Sequence, residues 1–67
     1  MSIIKIRELI GISEKSFEDA LQNLIEHEVK AGKKITGVKV LGQSVDLNDG
    51  KISAYKINAK VAYKWED

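Results

Sequence analysis

Asp49-Gly50 separates two runs of alternating residues, and this dipeptide constrains the chain more than any other feature of it. Both central positions of a type I′ turn take positive φ, which Asp tolerates and Gly adopts freely, so Asn48-Asp49-Gly50-Lys51 predicts a two-residue β-hairpin. After the turn, Tyr55, Ile57, Ala59, Val61 and Tyr63 alternate with Lys56, Asn58, Lys60, Ala62 and Lys64, the period of a strand with one apolar face. Before it, from Ile35, Val38 and Val40 fall on one face and Lys39 and Gln43 on the other. Counting outward from the turn pairs Asn48 with Lys51, Gln43 with Lys56 and Val40 with Ala59. Val38 and Val40 then join the apolar face of the last strand. Gly37, Lys39, Leu41, Gln43, Val45 and Leu47 share the opposite face with Ile52, Ala54, Lys56, Asn58, Lys60 and Ala62, and Val45, Leu47 and Ile52 cluster there near the turn.

Upstream the period changes. Ile3 to Ile10 is rich in β-branched residues and reads as a strand that Gly11 ends. Ser13 is the first N-cap candidate of a helix, with Ile12 and Phe17 spaced for a hydrophobic staple, and Ser16 also reads as a capping residue. Phe17, Ala20, Leu21, Leu24, Ile25 and Val29 recur at three- and four-residue steps and define its apolar stripe. Lys30, Lys33 and Lys34 suit the negative end of the helix dipole, and Gly32 suits a left-handed cap. The expected fold is α+β, with order β-α-β-β: a three-stranded antiparallel sheet with one helix packed on one face, spanning 1–67 as a single domain. One helix covers one side of such a sheet, so the other side should meet a partner or a ligand.

Composition narrows the function. A chain of 67 residues lies near the size at which one core keeps a domain folded unaided. It has no Cys for a disulfide framework and one His, too few for an ordinary thiolate or imidazole metal site. Self-association is the remaining device common in small scaffolds. Eleven Lys and Arg against ten Asp and Glu leave a net charge of +1, which gives no electrostatic case for a nucleic-acid partner. Apolar runs of only a few residues and an N-terminus without signal-peptide order favour a cytoplasmic protein and argue against a membrane partner. No glycine-rich phosphate loop and no nucleophile, base and orienter set stand out, so the chain is not expected to be an enzyme.

Two segments resemble the dodecin family. Gly11-Ile-Ser-Glu-Lys-Ser-Phe-Glu-Asp-Ala20 is similar to its strand-end Gly-Thr-Ser followed by a helix opening with Ser and an aromatic. Tyr55-Lys-Ile-Asn-Ala-Lys-Val-Ala-Tyr63 is similar to its closing strand of Tyr-Gln-Val type. The resemblance runs without a gap from the first strand to the last. It implies a homododecamer, a hollow shell of β-α-β-β protomers that stores flavins, riboflavin or FMN, in pairs at subunit interfaces without redox chemistry. In that family a Trp at the start of the second strand stacks on the isoalloxazine ring and a Gln after the Tyr of the third strand hydrogen-bonds its polar edge. Gly37 and Lys56 stand at those positions here, both on the face expected to lack the helix.

Those two exchanges predict weakened or altered flavin binding. Losing an aromatic plane removes a stacking contact worth about 1–3 kcal/mol. Lys56 can donate to a flavin carbonyl but cannot accept from the ring N–H, which favours an anionic ligand. The ligand-binding residues implied are Gly37, Lys56 and Gln43, with Ser44 beside them. Trp65 is either a relocated stacking residue or, as strand parity has it, a core or interface aromatic on the helix side. Lys39, Lys56 and Lys60 are either a phosphate site or a solvated face. The alternative to flavin is a shell that acts through calcium or protein contacts. Asp46-Leu-Asn-Asp-Gly50 does not fit an EF-hand loop, because the ligand positions fall on Gly50 and Ile57. Any calcium site would draw on Asp46, Asp49, Glu14 or Glu18 at an interface. His27, beside Glu26 and Glu28, is expected at the surface.

Overall fold

The computed structural model describes residues 3–65. Strand β1 runs Ile3–Ser13, helix α1 Phe17–Lys30, β2 Ile35–Asn48 and β3 Lys51–Trp65. The strands form one antiparallel sheet in the order β1-β3-β2. The long alternating strand is central, and it supplies the buried Ile57, Ala59 and Val61. Ala20 and Leu24 of α1 meet these three, with Leu9, Phe17, Leu21, Ile25, Ile35 and Val38 packed around them. The hairpin forms as the sequence predicts: Asn48 pairs with Lys51, and Asp49 and Gly50 take φ of 53° and 76°.

Helix and sheet differ greatly in length. At about 1.5 Å per residue, the 14 residues of α1 span about 21 Å, whereas at about 3.3 Å per residue the 15 residues of β3 span about 50 Å. The molecule is accordingly 52 Å long and 13 Å thick. Its radius of gyration of 13.7 Å exceeds the roughly 10.9 Å expected of a compact domain of this length. α1 packs chiefly on β1 and leaves most of β2 open. Val40, Leu41, Val45 and Leu47, expected to divide between a covered and an uncovered face, are all exposed for that reason.

Four local expectations are corrected. β1 does not stop at Ile10 but continues through Gly11 to Ser13, since Gly11 is needed for close packing rather than for a turn. A Cβ at Gly11 would strike the carbonyl oxygen of Ala20 and lie 2.9 Å from Leu24 Cβ. The helix is capped by Ser16, whose Oγ accepts from the Asp19 amide at 3.0 Å. Ser13 braces the loop before it, accepting from the Lys15 amide at 2.9 Å and donating to Asp19 Oδ2 at 2.6 Å, so Ile12 and Phe17 no longer have staple spacing. Last, Val29 is 56% exposed and Glu28 takes the buried position in the helix stripe. Gly32, at φ 84°, closes the helix: its amide donates to Val29 O and that of Lys33 to Glu28 O, a Schellman pattern.

The Glu28 carboxylate is fully buried between α1 and β1. Its Oε1 lies 3.7 Å from Arg7 Nη1, too far for a hydrogen bond, and has no hydrogen-bond partner. Its Oε2 is 3.2 Å from His27 Nδ1. Removing the cation beside a buried carboxylate costs more than replacing the carboxylate by an apolar group of similar size. Arg7→Ala should therefore lower stability by about 1–3 kcal/mol, and Glu28→Met should be neutral or stabilising, read from thermal midpoints at one fixed protein concentration. Gly11→Ala should destabilise by about 1–3 kcal/mol in the same assay, because the helix must move off the sheet to admit the methyl group.

Candidate functional site

The face of the sheet away from α1 can be built row by row from the strand register. On β1 the residues facing the helix include Leu9, Gly11 and Ser13, the latter two buried, so Ile4, Ile6, Glu8, Ile10 and Ile12 point the other way. Ile4, Ile6, Ile10 and Ile12 are 52–65% exposed. They lie beside Lys64, Ala62, Asn58 and Lys56 of β3, and Glu8 lies beside Lys60. This apolar stripe on an edge strand was not singled out from the sequence. Its signal was present in the even spacing of the four isoleucines, interrupted only by Glu8, and becomes visible once β1 is placed next to β3.

The β2 side of the face departs from simple counting because the ladder slips at three points, one at Thr36 between Ile35 and Gly37 and two that flank residues 42–46. Leu47 pairs with Ile52 but Asp46 with Ala54, leaving Ser53 as an extra residue on β3. Gly42 pairs with Asn58 but Val40 with Ala59, leaving Leu41 as an extra residue on β2. These two slips cancel, so Val40 and everything toward the N-terminal end of β2 as far as Gly37 sits where counting put it. Between them, residues 42–46 are displaced by one. Gln43 therefore pairs with Ile57 on the helix side of β3 and is not the neighbour of Lys56. Val45 likewise pairs with Tyr55 and leaves the cluster expected with Leu47 and Ile52. Ser44 becomes the partner of Lys56, and Asp46 comes within 3.0 Å of its ammonium group through Oδ1. Ser53, in the slip itself, donates its hydroxyl to Asp46 O at 3.2 Å.

Three polar side chains thus meet on the helix-free face: Ser44, Asp46 and Lys56, with Ile12 on the far side of Lys56. The Lys56 and Asp46 side chains are 33% and 47% exposed, a surface pair with open access. Gly37 pairs with Ala62 on the same face, and a Cβ built on it would have no heavy atom within 4 Å. Six residues of β3 separate Ala62 from Lys56, about 20 Å along the strand, so Gly37 and Lys56 of one chain cannot touch the same small ring. Lys39 pairs with Lys60 between them, a cross-strand like-charge pair. Trp65 pairs with Ile3, and Lys5 Nζ sits 3.9 Å from its ring centre, at the far end from Lys56.

Clefts of the single chain open beside the helix, and two of them reach Ile10 or Ile12 at the edge of this face. One of about 430 Å³ is lined by Ile12, Ser13, Glu14, Lys15, Asp19, Asn23 and Ala54 where β1 and β3 meet the start of α1, and one of about 240 Å³ includes Lys33, Lys34, Tyr63 and Trp65 at the end of α1. Among the described residues no group of three or more His, Cys, Asp or Glu side chains converges to hold a metal ion. Among them, too, no helix is long and apolar enough to cross a membrane.

The architecture is that of known proteins. The dodecin of Streptomyces coelicolor superposes with a TM-score of 0.94 at 17% identity, over 98% of this chain and 94% of that one. A single-residue variant of the Thermus thermophilus dodecin gives 0.93 at 21% identity over the whole of both chains. A calcium dodecin of Mycobacterium tuberculosis, described as calcium-chelating with a novel calcium-binding site, gives 0.84 at 22% identity over 96% of this chain and 91% of that one. At these identities the likeness establishes the fold. No curated protein matches the sequence. The sequence model of one family, Dodecin, matches residues 3–66, nearly the full length. The chain belongs to the dodecin family.

Proposed function

We propose that this protein is the subunit of a homo-oligomeric, dodecin-type shell of twelve copies, which binds a flavin such as riboflavin or FMN between subunits and stores it without transforming it. The observation that carries the reading is the helix-free face: an exposed apolar stripe of Ile4, Ile6, Ile10 and Ile12 next to the polar group of Ser44, Asp46 and Lys56. An apolar surface of that extent on an elongated small chain favours association with further copies. A flat apolar floor with a few convergent polar groups is the usual lining of a site for a planar ligand. Because Gly37 and Lys56 lie about 20 Å apart within one chain, a ring that used both would take each from a different subunit. Residues 1–67 then act as one domain, in the cytoplasm, with no catalytic role.

Flavin affinity in this reading is modest. Gly37 offers no aromatic plane, and among the described residues no side chain lies within 4 Å of a Cβ built on it. Light scattering should give an oligomer, and riboflavin and FMN fluorescence should be quenched in a saturable way at micromolar protein. An intact oligomer that quenches neither would exclude flavin as the ligand. The likeness to a calcium-chelating relative favours calcium as the second reading. Since no chelating cluster forms within the described part of one chain, its carboxylates would come from several subunits. A rise in the thermal midpoint with calcium, without flavin quenching, would select it.

Gly37→Trp is the direct test of the stacking position. A Cβ built on Gly37 meets none of the described residues within 4 Å, so the side chain can leave the strand without a clash at its first atom. Riboflavin affinity should rise roughly five- to hundredfold if the indole stacks on the ring. Unchanged affinity in an oligomer of unchanged mass would remove Gly37 from the site.

A further inference from the structure

Lys56 alone is a poor reader of a neutral heterocycle, since an ammonium group has three donors and no acceptor. In the structure it is not alone. Asp46 Oδ1 lies 3.0 Å from Lys56 Nζ, and both side chains are partly open to solvent on the helix-free face. We infer that Lys56 and Asp46 act as one recognition unit that reads the N–H and C=O edge of a neutral imide ring, with Asp46 as the residue that sets this specificity.

The chemistry is complementary. An imide edge presents a ring N–H beside a C=O, so it needs one acceptor and one donor side by side. Asp46 supplies the acceptor and Lys56 the donor. The N and O of a single amide, which would do both, are about 2.3 Å apart from its bond lengths and angles. The 3.0 Å between Nζ and Oδ1 is close enough for paired contacts to adjacent ring atoms. Charge points the same way. A lone lysine on an apolar floor would favour an anion, whereas the pair is net neutral and favours an uncharged ring. Burying such a pair under a ligand is costly unless its remaining donors and acceptors are satisfied, and an imide edge satisfies one of each. Ser44, the register partner of Lys56, adds a hydroxyl that can donate or accept at the rim.

The inference rests on the proposed flavin reading, and the test separates the two. Riboflavin and its N3-methyl derivative, which lacks the ring N–H, are titrated against the intact oligomer of the wild type, Asp46→Ala and Asp46→Asn. The surface ion pair is worth only about 0–1 kcal/mol, so both variants should fold and assemble, as light scattering would check. The wild type should prefer riboflavin over the methyl derivative by roughly tenfold or more, the value of a hydrogen bond to a charged group. Asp46→Ala should bring that preference below roughly twofold, and Asp46→Asn should keep an intermediate preference of roughly three- to fivefold, because its amide oxygen still accepts but carries no charge. A preference that survives in Asp46→Ala would overturn the inference and leave the flavin reading standing. A wild-type oligomer that binds neither compound would overturn both.

Discussion

The mismatch between a helix of about 21 Å and strands of about 50 Å governs this structure. A two-layer domain normally covers the face of its sheet that carries the core, but here α1 reaches only part of β1 and β3. What it reaches is well packed: Ile57, Ala59 and Val61 are buried to 2% exposure or less. What it does not reach stays open on both sides, including nearly all of β2 and the hairpin. Lengthening the strands without lengthening the helix thus produces a chain with a small core of its own and a large apolar remainder. The remainder is where ligand and partner would meet.

The private core depends on how closely helix and sheet approach. Gly11 lets β1 run directly under Ala20 and Leu24, closer than any side chain would permit. One turn beyond Leu24 the same stripe carries Glu28, and the helix buries a carboxylate there rather than an apolar group. Arg7 from the sheet and His27 from the helix stand beside it. Ion pairs of this kind are weak evidence for stability, because the cost of desolvating the carboxylate offsets most of the attraction. Arg7 therefore stands as the cation that offsets a buried charge, while the seat of α1 on β1 is set by the close approach of Ala20 and Leu24 to Gly11.

Much of this fold was legible in the sequence, because the strongest signals were local. The Asp49-Gly50 turn requires positive φ, the last strand alternates over most of its length, and the helix stripe repeats at helical spacing. The misread parts depend on a choice between similar neighbours. Ser13 and Ser16 are both fit to cap a helix; Ser16 prevails because Gly11 carries β1 on to Ser13 and leaves the helix to start later. Val29 belonged to the apolar stripe by chemistry, but Glu28 is the residue that the helix rotation turns inward. Leu24 and Glu28 are four apart, as are Leu21 and Ile25, and Val29 extends the second row beyond the sheet's cover. Of the candidate residues, Gly37 and Lys56 lie on the sheet face that the sequence predicts for them, whereas Gln43 does not.

The loss of Gln43 and the gain of Asp46 are one event. Without the extra residue Ser53, counting from the turn would put Gln43 opposite Lys56 and turn Asp46 to the other side. One inserted residue reverses both, since a slip by one exchanges the faces of every residue up to the compensating slip at Leu41. The exchange removes a neutral amide from the side of Lys56 and puts a carboxylate within 3.0 Å of its ammonium. It also explains why a lysine is tolerable on this floor, where an unpaired cation beside Ile10 and Ile12 would resist being covered by a ligand or another subunit. The two slips lie on either side of the segment they displace, so the turn and the pairs from Val40 to Gly37 keep the register counted from Asp49-Gly50, and the exchange of faces is confined to residues 42–46. Irregular pairing here shapes the site while the turn and the central strand preserve the fold.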